Sequence, residues 1–349
     1  LTLLTVIDTA PKIYRLYPLV KGESWFEIPQ TVVDYKKQIA AIDTNQKPPV
    51  LGQDYNVQLQ KQYLEQDPRL WNDLQKEVYK NNKNILPAFN MLYYDLPLLT
   101  NAINSAGLKV NWYSQIENRL FFSQDKVVYM GKTSYSDTYW SLARLAGAHY
   151  FIHDETLEDE NANIIGKTSF TTGQDQIGLY QINNPLPFIQ IPKKVSAVPN
   201  GQTYQAIIEP VFDPSSDLVL STDQIKKIPE ISESNFEDQI DFKINNDQSI
   251  DISLQNQKPQ FIFIRQSYYP GWTATVNDQP TPIYRANHAF NAIYLKETNF
   301  QNIKLRYTPT SFANGLLITT VSFVIYAVLI VASLVIRRRS TLSHATIMT

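Results

Sequence analysis

The chain of 349 residues contains no cysteine. That absence excludes disulfides, zinc–thiolate sites and thiol nucleophiles. Excess charge is also missing. Lysine and arginine number 31 against 33 acidic residues, for a net charge of -2. No basic field marks a nucleic-acid partner. The motifs G-x-S-x-G and H-E-x-x-H do not occur, nor does a glycine-rich phosphate loop, so no familiar nucleophile, zinc or nucleotide site is announced. There is no internal repeat and no low-complexity tract. Tyrosine (21), phenylalanine (16) and proline (20) are plentiful. They favour strands, turns and aromatic surfaces. With no disulfides, the fold relies on core size, and the length suffices for two domains plus a helix.

One apolar run is long. Gly315–Ile336 carries no charge and is followed directly by Arg337, Arg338 and Arg339. As a helix it measures about 33 Å, enough to cross a hydrocarbon core of about 30 Å. Positive charge beside a span stays on the cytoplasmic side. The reading is a spanning helix over 311–336, a cytoplasmic tail over 337–349, and residues 9–310 outside a bacterial plasma membrane. At the other end, Leu1–Ile7 is apolar but lacks the basic region and cleavage site of a signal peptide. Residues 1–8 are read as the end of a truncated transmembrane helix, so that the chain is expected to be the C-terminal part of a longer protein. A first β-strand is the competing reading.

Residues 9–59 read as a polar linker with short helices, one over Thr31–Ile42. Residues 60–196 read as an α/β-like domain. Asp67 and Pro68 suit an N-cap and first helical position for a helix over Asp67–Tyr79. A second helix is expected over Leu96–Ala106, and a third over Ser136–Ala146, each closed by glycine. Strands are expected over Ala148–His153 and Gly178–Ile182. From 197 to 310 a short helix, Thr203–Glu209, precedes runs of period-2 alternation. These are Leu218–Ser221, Gln239–Ile244, Ile250–Leu254, Gln260–Gln266, Trp272–Val276, Thr281–Arg285, Asn291–Leu295 and Ile303–Tyr307. Such spacing predicts a β-sandwich. The fold class is therefore α+β, with the sandwich close to the membrane because about seven residues connect it to the helix.

A chemical site is harder to find. His149 and His153 share a strand face but lie about 13 Å apart in an extended strand, too far for one metal ion. The acids Asp154, Glu155, Glu158, Asp159 and Glu160 lack calcium-loop spacing and read as a solvated loop. No metal and no cofactor is expected. The richest segment is Gln266–Tyr294, where Tyr268, Tyr269, Trp272 and Phe290 accompany Arg285 and Asn287. Aromatic faces beside amide and guanidinium groups suit sugars, which present an apolar C–H face and a rim of hydroxyls. The same aromatics also suit sandwich core and membrane-proximal anchors, or a protein contact. Those six residues are the candidate carbohydrate contacts, and no catalytic residue is selected.

Several segments resemble a known family. Tyr268-Tyr269-Pro270-Gly271-Trp272, the run from Pro282 to Phe290 (PIYRANHAF), Leu305-Arg306-Tyr307-Thr308-Pro309 and Ser311-Phe312 look like the C-terminal region of YfhO-type bacterial membrane proteins. Relatives with the GT-C glycosyltransferase architecture share this ending. Upstream, Asn183–Pro187 resembles the family's N-P-x-A-L-P-R element, with Phe188 and Ile189 in place of arginine and alanine. Phe212-Asp213-Pro214 with Leu218–Leu220 resembles its F-D-P element, and Leu145–Ile152 resembles its L-G-V-K-Y-V-V strand, with Ala146 in place of the usual leucine or methionine before Gly147. The resemblance implies a multi-pass membrane glycosyltransferase. Such an enzyme moves a sugar from a polyprenyl-phosphate donor to an envelope glycan, lipid or teichoic acid. The family's catalytic acid sits in an early loop among N-terminal membrane helices, so no catalytic residue carries over. This part is then expected to cap the membrane cavity and contact the acceptor. The alternatives are a non-catalytic sugar-binding module and a structural or interaction domain.

Overall fold

The computed structural model describes residues 30–40, 50–51, 111–121, 125–130, 132–153, 157–169, 176–225, 240–246, 249–256 and 258–346. The apolar segment 1–8 and the helices expected over 67–79 and 96–106 lie outside them.

The first elements are α1 (Gln30–Ala40), β1 (Val50–Leu51) and α2 (Asn111–Phe121), then a hairpin of β2 (Lys126–Tyr129) and β3 (Lys132–Tyr135). Helix α3 (Asp137–Leu145) follows. Its start is encoded locally: Ser136 is extended and its hydroxyl accepts from Tyr139 N. That bond satisfies a donor the helix cannot. Gly147, at φ 88°, ends the element. Next come β4 (Tyr150–His153), β5 (Ala162–Ser169) and β6 (Gln176–Ile182). They form a sheet in the order β1-β4-β6-β5, with only the β1–β4 pair parallel.

The remaining strands build two sheets. They are β7 (Ile189–Gln190), β8 (Lys194–Val198), then helix α4 (Thr203–Ile208), β9 (Asp217–Ser221), β10 (Ile240–Asn246), β11 (Ser249–Asn256), β12 (Gln260–Ser267), β13 (Trp272–Val276), β14 (Gln279–Thr281), β15 (Ile283–Ala286), β16 (Phe290–Leu295) and β17 (Asn299–Tyr307). The five-stranded sheet runs β10-β11-β17-β13-β14. The six-stranded sheet runs β7-β12-β16-β15-β9-β8. The mixed, strand-rich architecture is α+β.

The six-stranded sheet is the middle layer. In β12, alternate residues point to opposite faces. Ile262 and Ile264 pack with Ile252, Leu254, Ile303 and Leu305 of the five-stranded sheet. Phe261 and Phe263 pack on the other side with Leu218, Phe290, Trp140 and Phe151. All four β12 residues are fully buried. A strand covered on both faces reads as a continuous apolar run rather than an alternation, which is why Phe-Ile-Phe-Ile stands here.

One expected strand divides. Residues 281–285 are not a single strand: Pro282 breaks them. Proline has no N–H to give a ladder. Upstream, β14 pairs with β13 in one sheet, whereas downstream β15 pairs with β16 in the other. The chain thus changes layers at Pro282. The helix α2, the β2–β3 hairpin, β5 and the short strands β7 and β8 were not apparent from periodicity.

The last helix, α5, spans Thr310–Thr346. Between β17 and α5 lie only Thr308 and Pro309, because the helix starts before its apolar stretch. Its apolar stretch Asn314–Ser333 is exposed throughout. Thr319, Thr320 and Ser322 donate to Gly315, Leu316 and Ile318 carbonyls one turn earlier, at 2.9, 2.8 and 2.8 Å. Each hydroxyl is satisfied within the helix, as a hydrocarbon environment requires.

Candidate functional site: an aromatic ledge beside the membrane helix

Of the six candidate residues, the structure brings three to one surface. Tyr268, Tyr269 and Trp272 line a groove of about 390 Å³, together with Thr273, Pro280 and Pro282. Trp272 is registered opposite Tyr307, with ring centroids 5.5 Å apart, and Tyr269 lies 6.1 Å from the same Tyr307 ring. The turn between them is fixed by Gly271. At φ 113° it occupies a region closed to side chains. A Cβ there would sit 2.9 Å from Tyr307 Cε2 and 3.2 Å from Pro309 Cα. The Gly271 carbonyl then accepts from Thr308 N at 2.8 Å. The ledge is thereby stitched to the two residues that lead into α5.

The other three candidates are interior. Asn287 is fully buried, and Phe290 and Arg285 nearly so. Asn287 and His288 form the β15–β16 turn, both with positive φ (43° and 71°). Asn287 Oδ1 accepts from Val219 N at 2.7 Å and its amide donates to Asp217 O at 3.1 Å. Its own N–H donates to Val219 O at 2.8 Å. The motif over 284–290 therefore clamps the edge of β9, the strand that follows Phe212-Asp213-Pro214. Arg285 donates to His288 O at 2.9 Å and to Asn200 Oδ1. Its guanidinium lies 4.3 Å from the Trp112 ring centroid, and Trp112 meets Tyr268 edge-on at 6.0 Å. Phe290 packs edge-on to Phe263 and Tyr113. These residues do not line the groove; they hold the turn and strand next to it.

His288 bonds through Nδ1 to Thr203 Oγ1 at 2.8 Å. Burial, and then the nearby Arg285 charge, pull its pKa down to about 4. In the unfolded chain the same ring titrates near 6.5. A group with a depressed cationic pKa keeps its full contribution above the unfolded value. That contribution is lost as pH falls from about 6.5 toward about 4. Between pH 7.5 and 5 the chain is expected to lose roughly 2 kcal/mol through His288 alone. Urea unfolding of wild type and His288→Gln at both pH values checks this. Equal pH dependence in the two would refute it.

A second, larger cleft of about 690 Å³ lies between the start of α3 and the loop before β9, lined among others by Ser141, Arg144, Asn161, Asn184 and Asp213. Arg144 donates to Asn183 O at 3.0 Å and to Asn161 Oδ1 at 2.6 Å. Burial alone would raise the Asp213 pKa, but hydrogen bonds from Ser215 and Ser216 and the Lys193 charge outweigh it and hold Asp213 below the usual range. Sequence reasoning noted the Asn183–Pro187 and Phe212–Pro214 segments only as resemblances, and no spacing signal joined them.

Among the described residues no group of three or more histidine, cysteine or acidic side chains could hold a metal ion. His153 is fully buried, with Nε2 2.8 Å from Tyr135 Oη. Of the acidic loop, Asp159 is structural: it accepts from Tyr135 N and Trp140 Nε1 at 2.9 and 2.8 Å.

Residues 219–319 match the family model of the bacterial membrane protein YfhO. This segment is a YfhO-type region. Curated proteins and solved structures give no match. The YfhO-type region covers under a third of the chain. It starts at Val219, the residue that Asn287 clamps, and takes in the ledge and the first turns of α5, up to residue 319. The match and the apolar helix together support a membrane protein.

Proposed function

We propose that the chain is the extracytoplasmic portion of a glycosyltransferase-like membrane protein, and that Tyr268, Tyr269 and Trp272 contact the acceptor glycan at the membrane surface. The observation that carries this is the placement of three aromatic residues along one groove, with Trp272 paired to Tyr307, which only Thr308 and Pro309 separate from α5. Stacked rings recognise the C–H faces of sugars, and a polymer acceptor meeting a lipid-linked donor must do so there. Arg337–Arg339, after the apolar stretch, support a cytoplasmic tail and an external domain. The donor reading, a polyprenyl-phosphate sugar, rests on the resemblance alone. Burial of Arg285, Asn287 and Phe290 favours an architectural role for the 284–290 motif, so the glycan contact is assigned to the ledge.

The test uses intact spheroplasts displaying the full chain, incubated with fluorescent teichoic acid and peptidoglycan oligosaccharide fragments. Wild type is expected to bind at least one of them. Tyr269→Ala and Trp272→Ala should each weaken binding about tenfold, a loss of about 1.4 kcal/mol. Tyr269 is 38% exposed, so its variant should unfold at the wild-type temperature. Undiminished binding by both variants would remove the ledge. Binding seen only after permeabilisation would reverse the orientation.

A further inference from the structure

The cleft between α3 and the loop before β9 is roomier than the ledge groove, about 690 against 390 Å³, and shares no lining residue with it. Its size lies within the roughly 300–1,000 Å³ usual for small-molecule sites. Two segments far apart in sequence meet there. Asn184 and Leu186 come from the first, Phe212 and Asp213 from the second. Gln190 Nε2 donates to Pro214 O at 3.0 Å and ties the second segment to β7. The facing wall is one side of α3, where Thr138, Ser141 and Arg144 follow at steps of three. That spacing places neighbouring side chains on one helix face.

The walls are held by the protein itself. Arg144 engages Asn183 O through Nε and Asn161 Oδ1 through Nη2, and Asn161 Nδ2 donates in turn to Asp159 Oδ1 at 3.0 Å. Arg144 Nη1 bonds to none of the described residues. Ser141 Oγ is buried and has no partner among them either. Asp213 is taken up by the Ser215 and Ser216 hydroxyls. Glu209 accepts from Gln205 through one oxygen at 2.6 Å, and Asp137 is exposed at the start of α3. The open valences are therefore of both kinds. Arg144 Nη1 only donates, the Asp137 and Glu209 carboxylates only accept, and the Thr138 and Ser141 hydroxyls do either. With Asp213, three carboxylates line the cleft against one guanidinium. A phosphate or carboxylate ligand would be repelled by the acids, and an ammonium ligand would leave Arg144 without an acceptor. A hydroxyl both donates and accepts, so an array of hydroxyls satisfies the whole set. Leu186, Ile207 and Phe212 add apolar wall that suits C–H faces.

We propose that this cleft binds a short neutral glycan, one without phosphate or carboxylate groups, whose hydroxyls pair with Ser141, Arg144 and Asp137. It is a carbohydrate site with its own selectivity, and it does not rest on the acceptor reading of the ledge. For the test, the full chain is reconstituted in nanodiscs free of glycoside detergent. Saturation-transfer NMR is recorded with maltotriose, cellotriose and tri-N-acetylchitotriose, and with trigalacturonate as the charged counterpart. At least one neutral trisaccharide is expected to bind with a Kd below about 1 mM, and trigalacturonate at least about tenfold more weakly. Ser141→Ala should weaken the neutral sugar about fivefold without lowering the unfolding temperature, because Ser141 Oγ bonds nothing in the free protein. Arg144→Lys, which keeps the charge but not Nη1, should weaken it at least as much. Absence of transfer to all three neutral sugars overturns the proposal, and so does trigalacturonate binding equally well. Binding that survives both Ser141→Ala and Arg144→Lys also overturns it. If that surviving binding is lost in Trp272→Ala, the glycan sits on the ledge and only the cleft proposal falls.

Discussion

Asn287→Ala is expected to destabilise the chain by about 3–5 kcal/mol, although the site looks like a surface turn in the sequence. Three losses combine. Val219 N–H and Asp217 C=O lose their side-chain partners, at about 1–3 kcal/mol for each buried group left unpaired. Alanine must also hold φ 43°, a conformation costing about 1–2 kcal/mol for a residue without asparagine's local hydrogen bonding. The midpoint of thermal unfolding should fall by roughly 8–15 °C, measured by circular dichroism on the full chain in detergent. Asn287→Gly, which removes the conformational term but keeps the hydrogen-bond losses, should recover about 1 kcal/mol. A fall of less than 3 °C for the alanine variant would show that the clamp on β9 contributes little.

Trp140→Ala is expected to cost about 4–5 kcal/mol, near the upper end for large-to-small core changes. Trp140 is fully buried. It stands edge-on to Tyr139, Phe151 and Tyr135 at centroid distances of 5.3, 5.9 and 6.0 Å. Its indole N–H donates to Asp159. Removing the ring opens a cavity and takes a donor from a carboxylate at once. Trp140→Phe keeps most of the volume and should cost about 1–2 kcal/mol, the value of the hydrogen bond. Urea titration of the full chain checks both. If the phenylalanine variant were as unstable as the alanine variant, the hydrogen bond rather than packing would dominate.

The two variants also show why parts of the molecule were legible and others not. Helix α3 announced itself because Ser136, the apolar spacing and Gly147 all agree. Strand β12 was read as one of the alternating runs, whereas Phe261 to Ile264 are all buried because both of its faces are covered. The hairpin β2–β3 escaped because the apolar residues of β2 are exposed one after another, so no inside–outside alternation exists to detect. The layer change at Pro282 was missed although proline gave a local warning. For the candidate site, composition grouped six residues along the chain but could not separate surface from interior. An arginine and an asparagine among aromatics have the same composition in a sugar groove as in a buried network. The residue that could have signalled the difference is Asn287 itself: Asn-His between two strand-like runs favours a left-handed turn, and its carboxamide then has backbone groups in reach.

The two-residue joint Thr308-Pro309 has a mechanical meaning. A span that short reaches about 7 Å at full extension, and proline removes one of its rotations. The folded head thus has no leash on which to swing. Any tilt or rotation of α5 is passed to β17, and through it to Trp272 and the sheet behind. Bilayer thickness, which sets how a membrane helix leans, thereby becomes an input to how the groove is aimed.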